Sequence, residues 1–124
     1  MDLNVLSGEV IGAALAVHRE LGPGLLESVY QNCLLYELQE RGLEAASEVT
    51  LPIHYRGRKV CDGGLRIDLL VEDRLVVELK SVDKVQPIHL KQVLTYLRLA
   101  QKPLGLLINF NEVLLKDGIT RIAN

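Results

Sequence analysis

Arg66-Ile67-Asp68-Leu69-Leu70-Val71-Glu72-Asp73-Arg74-Leu75-Val76-Val77-Glu78-Leu79-Lys80 is the stretch on which the reading of this chain turns. Two apolar strands, Leu65 to Val71 and Leu75 to Ser81, are expected around Glu72-Asp73-Arg74. Residues i and i+2 of a strand share a face, so Glu78 and Lys80 project together while Val77 and Leu79 project the other way. Charge on an apolar strand is costly to bury unless it is paired. A plain core has little use for it, whereas a metal and phosphate site does. Two carboxylates can hold a hard divalent cation, and a lysine can lie beside the phosphate under attack or the water attacking it.

That reading carries a geometric condition. Asp68 and Glu78 share a metal only if they lie on one face of adjacent strands, and directly opposed residues of an antiparallel pair do so. A two-residue loop at Glu72-Asp73 pairs Val71 with Arg74 and sets Asp68 opposite Val77, on the wrong side. A three-residue loop pairs Val71 with Leu75, sets Asp68 opposite Glu78 and sets Arg66 opposite Lys80. An odd-length connection or a β-bulge is therefore expected here.

Around this stretch the chain has 124 residues, enough for a single domain over 1–124 with a core of its own. Trp is absent and Phe110 is the only Phe, so the core must be aliphatic. Cys33 and Cys61 sit in no Cys/His cluster and read as reduced thiols rather than a disulfide or a zinc site. The start, Met1-Asp2-Leu3-Asn4, lacks a basic leader, and no apolar run approaches membrane-spanning length. A soluble, cytoplasmic domain with no membrane partner is expected. The net charge is −2, but it is unevenly spread. Residues 1–53 carry two cations against eight acids, −6, while residues 54–102 carry ten cations against six acids, +4. The basic excess falls in the segment holding the two charged strands, where a phosphate backbone would need it. Solvated faces with scattered cations are the plain alternative.

Apolar residues at three- and four-residue spacing predict a helix from Leu3 to Leu21, ended by Gly22-Pro23-Gly24. A second helix runs from about Leu26 to Arg41, with Leu26, Val29, Cys33, Leu34 and Leu38 on its apolar side and Gly42 as its stop. Val49 to Tyr55 alternates as a strand, Arg56-Gly57-Arg58 turns, and Lys59 to Asp62 continues a hairpin until Gly63-Gly64 breaks it. Pro87 opens a third helix running to about Gln101, Leu104 to Phe110 reads as a buried strand, and Val113 to Ile122 reads as a terminal hairpin around Asp117-Gly118. The fold class is α/β: a small mixed sheet flanked by helices.

The helices offer further groups. Glu27 and Tyr30 lie one turn apart. Their plain reading is a dipole-favoured acid and a tyrosine whose ring packs while its hydroxyl stays wet. His89, Gln92 and Tyr96 form a polar stripe beside the apolar one on the third helix. Such a stripe is ordinarily a helix boundary; equally, its amide and phenol can orient water and phosphate.

Gly24-x-x-Glu27-x-x-Tyr30 resembles the signature of the GxxExxY proteins, members of the PD-(D/E)xK nuclease-like superfamily of restriction and recombination nucleases. Asp68 followed by Glu78-Leu79-Lys80 resembles the superfamily's second and third motifs. Gln92-x-x-x-Tyr96 resembles the helix motif of the recombination nucleases, and Leu106 to Phe110 the strand closing the core. The similarity covers about Val10 to Phe110. It implies a restriction-endonuclease-like core, α-β-β-β-α-β, here with an extra N-terminal helix and a C-terminal hairpin. It implies Mg²⁺ or Mn²⁺ held by Asp68, Glu78, the Leu79 carbonyl and Glu27, with Lys80, Gln92 and Tyr96 completing the catalytic set. Arg66, Tyr30 and Lys84 are the expected substrate contacts. Proline does not precede Asp68; Ile67 does.

The function this implies is a divalent-metal-dependent nuclease hydrolysing phosphodiester bonds in DNA. A non-catalytic nucleic-acid-binding or protein-assembly module retaining the fold is the alternative, supported by the acidic N-terminal half and the small size. One site cuts one strand, so severing both strands of a duplex takes a homodimer or two visits.

Overall fold

The computed structural model describes residues 1–124. Helix α1 (Leu3–Leu21) starts where the Asp2 carboxylate accepts from the Val5 N–H at 2.9 Å, and it ends at Gly22, whose φ of 74° only glycine adopts freely. Helix α2 (Glu27–Glu40) buries Tyr30, Leu34 and Leu38. Its apolar side is rotated from the expected one: Leu26 and Val29 are exposed and Cys33 is half-buried. The reason is Tyr30, whose ring stacks on Phe110 with centroids 4.5 Å apart and so sets the rotation of the helix.

Strands β1 (Ala45–Tyr55), β2 (Arg58–Val71) and β3 (Leu75–Lys80) follow. Helix α3 (Pro87–Ala100) then crosses over to β4 (Leu104–Asn109), and a 3₁₀ turn (Leu115–Gly118) leads into β5 (Ile119–Ala123). The sheet order is β1-β2-β3-β4-β5, antiparallel throughout except for the parallel β3–β4 pair that α3 connects. This is the expected α/β class, a mixed sheet between helices.

Two details differ from the sequence reading. β2 runs unbroken through Gly63-Gly64. A Cβ at Gly64 would stand 2.5 Å from Ile53 Cγ1, so this glycine permits a close approach of β1, at a register shift, instead of ending a strand. At the C-terminus, Asp117-Gly118 lie in the 3₁₀ turn, and the hairpin closes on β4 instead of on itself, with Leu104 opposite Ala123 and Ile108 opposite Ile119.

Each face of the sheet carries a core. Leu69, Val71, Leu75, Val77, Leu79, Leu106 and Ile108 pack under α1 and α2. Leu65, Ile67, Val76 and Leu107 pack under Val93 and Leu97 of α3. Gly105 lets α3 settle onto β4, since a Cβ there would meet Val93 Cγ1 at 2.8 Å. That contact fixes the height of α3 over the sheet. The β1–β2 pair changes sides within this frame: Ile67 belongs to the α3 core and Leu69 to the α1–α2 core. The change falls at Asp68, whose neighbour in register, Glu48, has a left-handed φ of 53° and is missing from the ladder.

Candidate active site

The connection Glu72-Asp73-Arg74 is odd, as the site requires, with Val71 paired to Leu75, Leu70 to Val76 and Leu69 to Val77. The β2–β3 ladder stops there, because β2 peels away from β3 at Asp68. The next backbone donors on both strands are therefore left without ladder partners, and the two acids satisfy them. The Asp68 N–H donates to Glu78 Oε2 at 2.7 Å, and the Leu79 N–H donates to Asp68 Oδ2 at 2.9 Å. The carboxylates thus face each other across the fork, each bound to the other strand, and both are buried, at 9 % and 7 % exposed. The Leu79 amide lies on the β2 side of β3, whereas the Lys80 carbonyl accepts from Phe110 beyond β4. A residue's N–H and C=O leave a strand on the same edge, so the Leu79 carbonyl faces the fork as well.

Burial and mutual repulsion dominate the electrostatics. Glu78 is pushed up to about 8, first by burial and second by Asp68, against the opposing pull of the Asp68 N–H, Lys80 and Arg66. Asp68 is also raised, first by burial, with the Leu79 N–H and Arg66 opposing and Glu27 and Glu48 adding to the rise. No ion pair reaches Glu78, and Arg66 approaches Asp68 only to 3.8 Å. Arg66 and Lys80 only partly offset the two acids, both of which remain raised. Two hard oxygen donors with an adjacent backbone carbonyl fit Mg²⁺ or Mn²⁺ by the chemistry of the set. No third His, Cys, Asp or Glu joins them in a cluster able to hold a metal.

Around the fork, the expected residues divide. Lys80 lies on the Glu78 face of β3, close enough to lower the Glu78 pKa. Tyr96 and Gln92 descend from α3, the Gln92 Nε2 donating to the Tyr96 hydroxyl at 3.1 Å. The Tyr96 phenol is raised first by burial, then by the charges of Glu78 and Asp68. Arg66 does not stand opposite Lys80 in a ladder, because the ladder has already ended; it pairs with Thr50 of β1 and its guanidinium is ion-paired to Glu48. That partner raises the Arg66 pKa.

Two expectations are corrected. Glu27 is exposed and its carboxylate accepts from the Ser81 N–H at 3.4 Å, so it sits beside the end of β3 instead of within a three-acid cluster. Tyr30 is fully buried and cannot contact a substrate. Its hydroxyl, expected to stay wet, donates to the Gly22 carbonyl at 2.6 Å and accepts from the Leu25 N–H at 3.1 Å, locking the turn between α1 and α2. Lys84, the remaining expected substrate contact, is exposed in the segment 81–86 before α3, where its carbonyl accepts from Gln86.

The sequence reading missed Asn109. Fully buried, its Oδ1 accepts from the Val82 and Asn111 N–H groups, and its Nδ2 donates to the Val82 carbonyl. It fixes the chain as it leaves Lys80, as does the Ser81 hydroxyl donating to the Leu25 carbonyl at 2.6 Å. An asparagine closing an otherwise apolar strand, Leu104-Gly-Leu-Leu-Ile-Asn109, was the available signal. A cavity of about 540 Å³ between α1 and α2, lined by Val17, Leu21, Cys33 and Tyr36, lies away from the fork. No helix is long and apolar enough to cross a membrane.

A family model described as the PD-(D/E)XK nuclease superfamily matches residues 4–122. No curated protein and no solved structure gives a significant match.

Proposed function

The chain belongs to the PD-(D/E)XK nuclease superfamily, and from that membership we propose that it is a divalent-metal-dependent nuclease hydrolysing phosphodiester bonds in DNA. The signature Gly24-x-x-Glu27-x-x-Tyr30 supports its placement among the GxxExxY proteins. The observation that carries the activity is the meeting of Asp68 and Glu78, buried and cross-bonded, with Lys80 on the same strand face.

In this reading Asp68, Glu78 and the Leu79 carbonyl hold Mg²⁺ or Mn²⁺. Bound there, the ion supplies Lewis acidity toward the phosphoryl group and acidifies water. The Lys80 ammonium sits where it orients the attacking water and offsets the negative charge that grows on the phosphate oxygens. The Gln92 amide and Tyr96 hydroxyl, already bonded to each other, hold the water or a phosphate oxygen on the α3 side. Arg66 contacts a neighbouring phosphate by exchanging part of its pairing with Glu48. Glu27 and Tyr30 act as positioning residues: the turn they anchor holds Ser81, and through it the end of β3, in place.

Titration calorimetry with Mn²⁺, comparing the native chain and Glu78→Ala in the presence of a DNA oligonucleotide, is the first test, followed by cleavage assays on duplex and single-stranded DNA. Binding and cleavage that both vanish in the variant support the nuclease. A folded native chain that binds no metal even with DNA present would return it to the class of non-catalytic modules.

A further inference from the structure

We propose that the free end of the β1–β2 ribbon is an arm that grips the backbone of a duplex about one helical turn from the carboxylate fork. The proposal rests on the nuclease reading for its orientation and on separate residues for its support. β2 is 14 residues long, but only its last three pair with β3, which itself has six. From residue 54 to 64 every side chain of the ribbon is exposed, Val60 at 57 % and Tyr55 at 62 % among them. A two-stranded ribbon with solvent on both faces is marginal by itself and stabilises nothing beneath it. Its length is therefore best explained by something it touches.

The chemistry of that partner follows from the charges. The exposed stretch holds Arg56, Arg58 and Lys59 against one acid, Asp62, which pairs with Lys59 at 2.9 Å. Arg56 and Gly57 make the turn with φ of 51° and 79°. Both left-handed values are those a two-residue hairpin turn requires, and they set Arg56 at the outermost point of the ribbon. The Arg56 guanidinium lies 5.4 Å from the Tyr55 ring centroid, which holds a long, flexible cation in place at the tip. Fixed, exposed guanidinium groups suit phosphate oxygens. Geometry sets the partner's size. Arg58 is ten residues from Asp68 along β2, a reach of at most about 33 Å at roughly 3.3 Å per residue, close to the ~34 Å turn of duplex DNA.

The test uses the full chain in EDTA, so that no cleavage intervenes, with 30-bp and 8-bp DNA duplexes across a range of salt. Two variants are compared: Arg56→Gln/Arg58→Gln/Lys59→Gln on the arm, and Arg19→Gln/Lys116→Gln, exposed cations elsewhere. The arm variant should bind the 30-bp duplex about 10- to 100-fold more weakly, its slope of log K against log salt falling by about 2 to 3. The 8-bp duplex, too short to span fork and tip, should lose much less, and the control variant should change little. An arm variant that binds like the native chain, or a control that loses as much, overturns the arm. So does light scattering in which the arm substitutions dissociate an oligomer while nucleic-acid binding is unmoved, since the arm is then a protein contact. Cleavage assays separate the two readings. Metal-dependent cutting lost in Glu78→Ala with the arm idle keeps the nuclease and removes the arm, whereas arm-dependent binding without any cleavage does the reverse.

Discussion

The carboxylate fork and the turn between α1 and α2 lie on either side of the end of β3, and both place buried polar groups there. Their energetic states are opposite. In the turn, every demand is met: the Tyr30 hydroxyl donates once and accepts once, its ring is stacked, and nothing charged is buried. In the fork the backbone donors are satisfied, but by two acids that repel each other and that burial penalises, so Glu78 stands near 8. The turn is built to stay as it is. The fork is built to receive positive charge, a pattern common to functional sites.

Breaking the fork should therefore affect turnover far more than folding. Lys80→Ala, which removes a cation that bonds nothing else in the fold, should lower cleavage by about 10²- to 10³-fold, the size expected of a lost group that stabilises transition-state charge. Its Mn²⁺ binding by calorimetry and its melting temperature should stay near native. Asp68→Ala should lose turnover to at least the same extent and, in addition, the rise in melting temperature that Mg²⁺ gives the native chain, since a ligand that binds only the folded state stabilises it. Native-level cleavage by either variant would remove the fork from the chemistry and end the contrast.

The next largest effect is in the pH dependence. Glu78 has a folded pKa of about 8 against an ordinary 4.5. Between these values the folded chain holds a proton that the unfolded chain has released, so stability falls as pH rises. It is full below about 4.5 and is lost through about 8; Asp68, shifted in the same direction, adds to the loss. Denaturant unfolding in EDTA should show a decline of up to a few kcal/mol across that window, at about 1.4 kcal/mol per pKa unit. Glu78→Gln should flatten it and leave the variant more stable than the native chain at pH 8. Added Mg²⁺ should reverse the decline in the native chain and not in the variant. The turn offers the control, since Tyr30→Phe should retain the native pH profile. That variant should instead lose about 1 to 3 kcal/mol at every pH, the cost of leaving the Gly22 carbonyl and the Leu25 N–H without a buried partner.

The same contrast explains what could be read from the chain. Periodicity located α1, α3 and the central strands, because burial on one face follows from 3.6- and 2-residue repeats. Parity alone settled the odd connection, since one residue fewer would put Asp68 and Glu78 on opposite faces. What escaped is tertiary. Nothing local says that β2 leaves β3 at Asp68, so Arg66 was placed opposite Lys80 when it faces Glu48 on the other side. Glycine carries two meanings: Gly63-Gly64 looked like a break, and Gly64 proved to be room for Ile53. Tyr30 was expected at the site because Gly24-x-x-Glu27-x-x-Tyr30 resembles a family signature, yet its role is decided by Phe110, eighty residues away.

The smallest expected effect concerns Arg66, which belongs to neither extreme. It is 56 % exposed, ion-paired to Glu48, and within 3.8 Å of Asp68. Exposed pairs are worth about 0 to 1 kcal/mol, so Arg66→Ala should cost less than that in stability. Its removal also takes away a cation that holds the Asp68 and Glu78 pKa values down, so the decline in stability, which still begins at the ordinary carboxylate pKa, should extend to a slightly higher pH. If Arg66 also meets a phosphate, the variant's salt slope for DNA should drop by about 1. Glu48→Gln separates these two roles, because it frees the guanidinium without removing it. DNA affinity that rises in Glu48→Gln and falls in Arg66→Ala places Arg66 with the fork, as a group waiting for a partner from outside. Affinity indifferent to both places it with the turn, as a residue whose partner is already inside the fold.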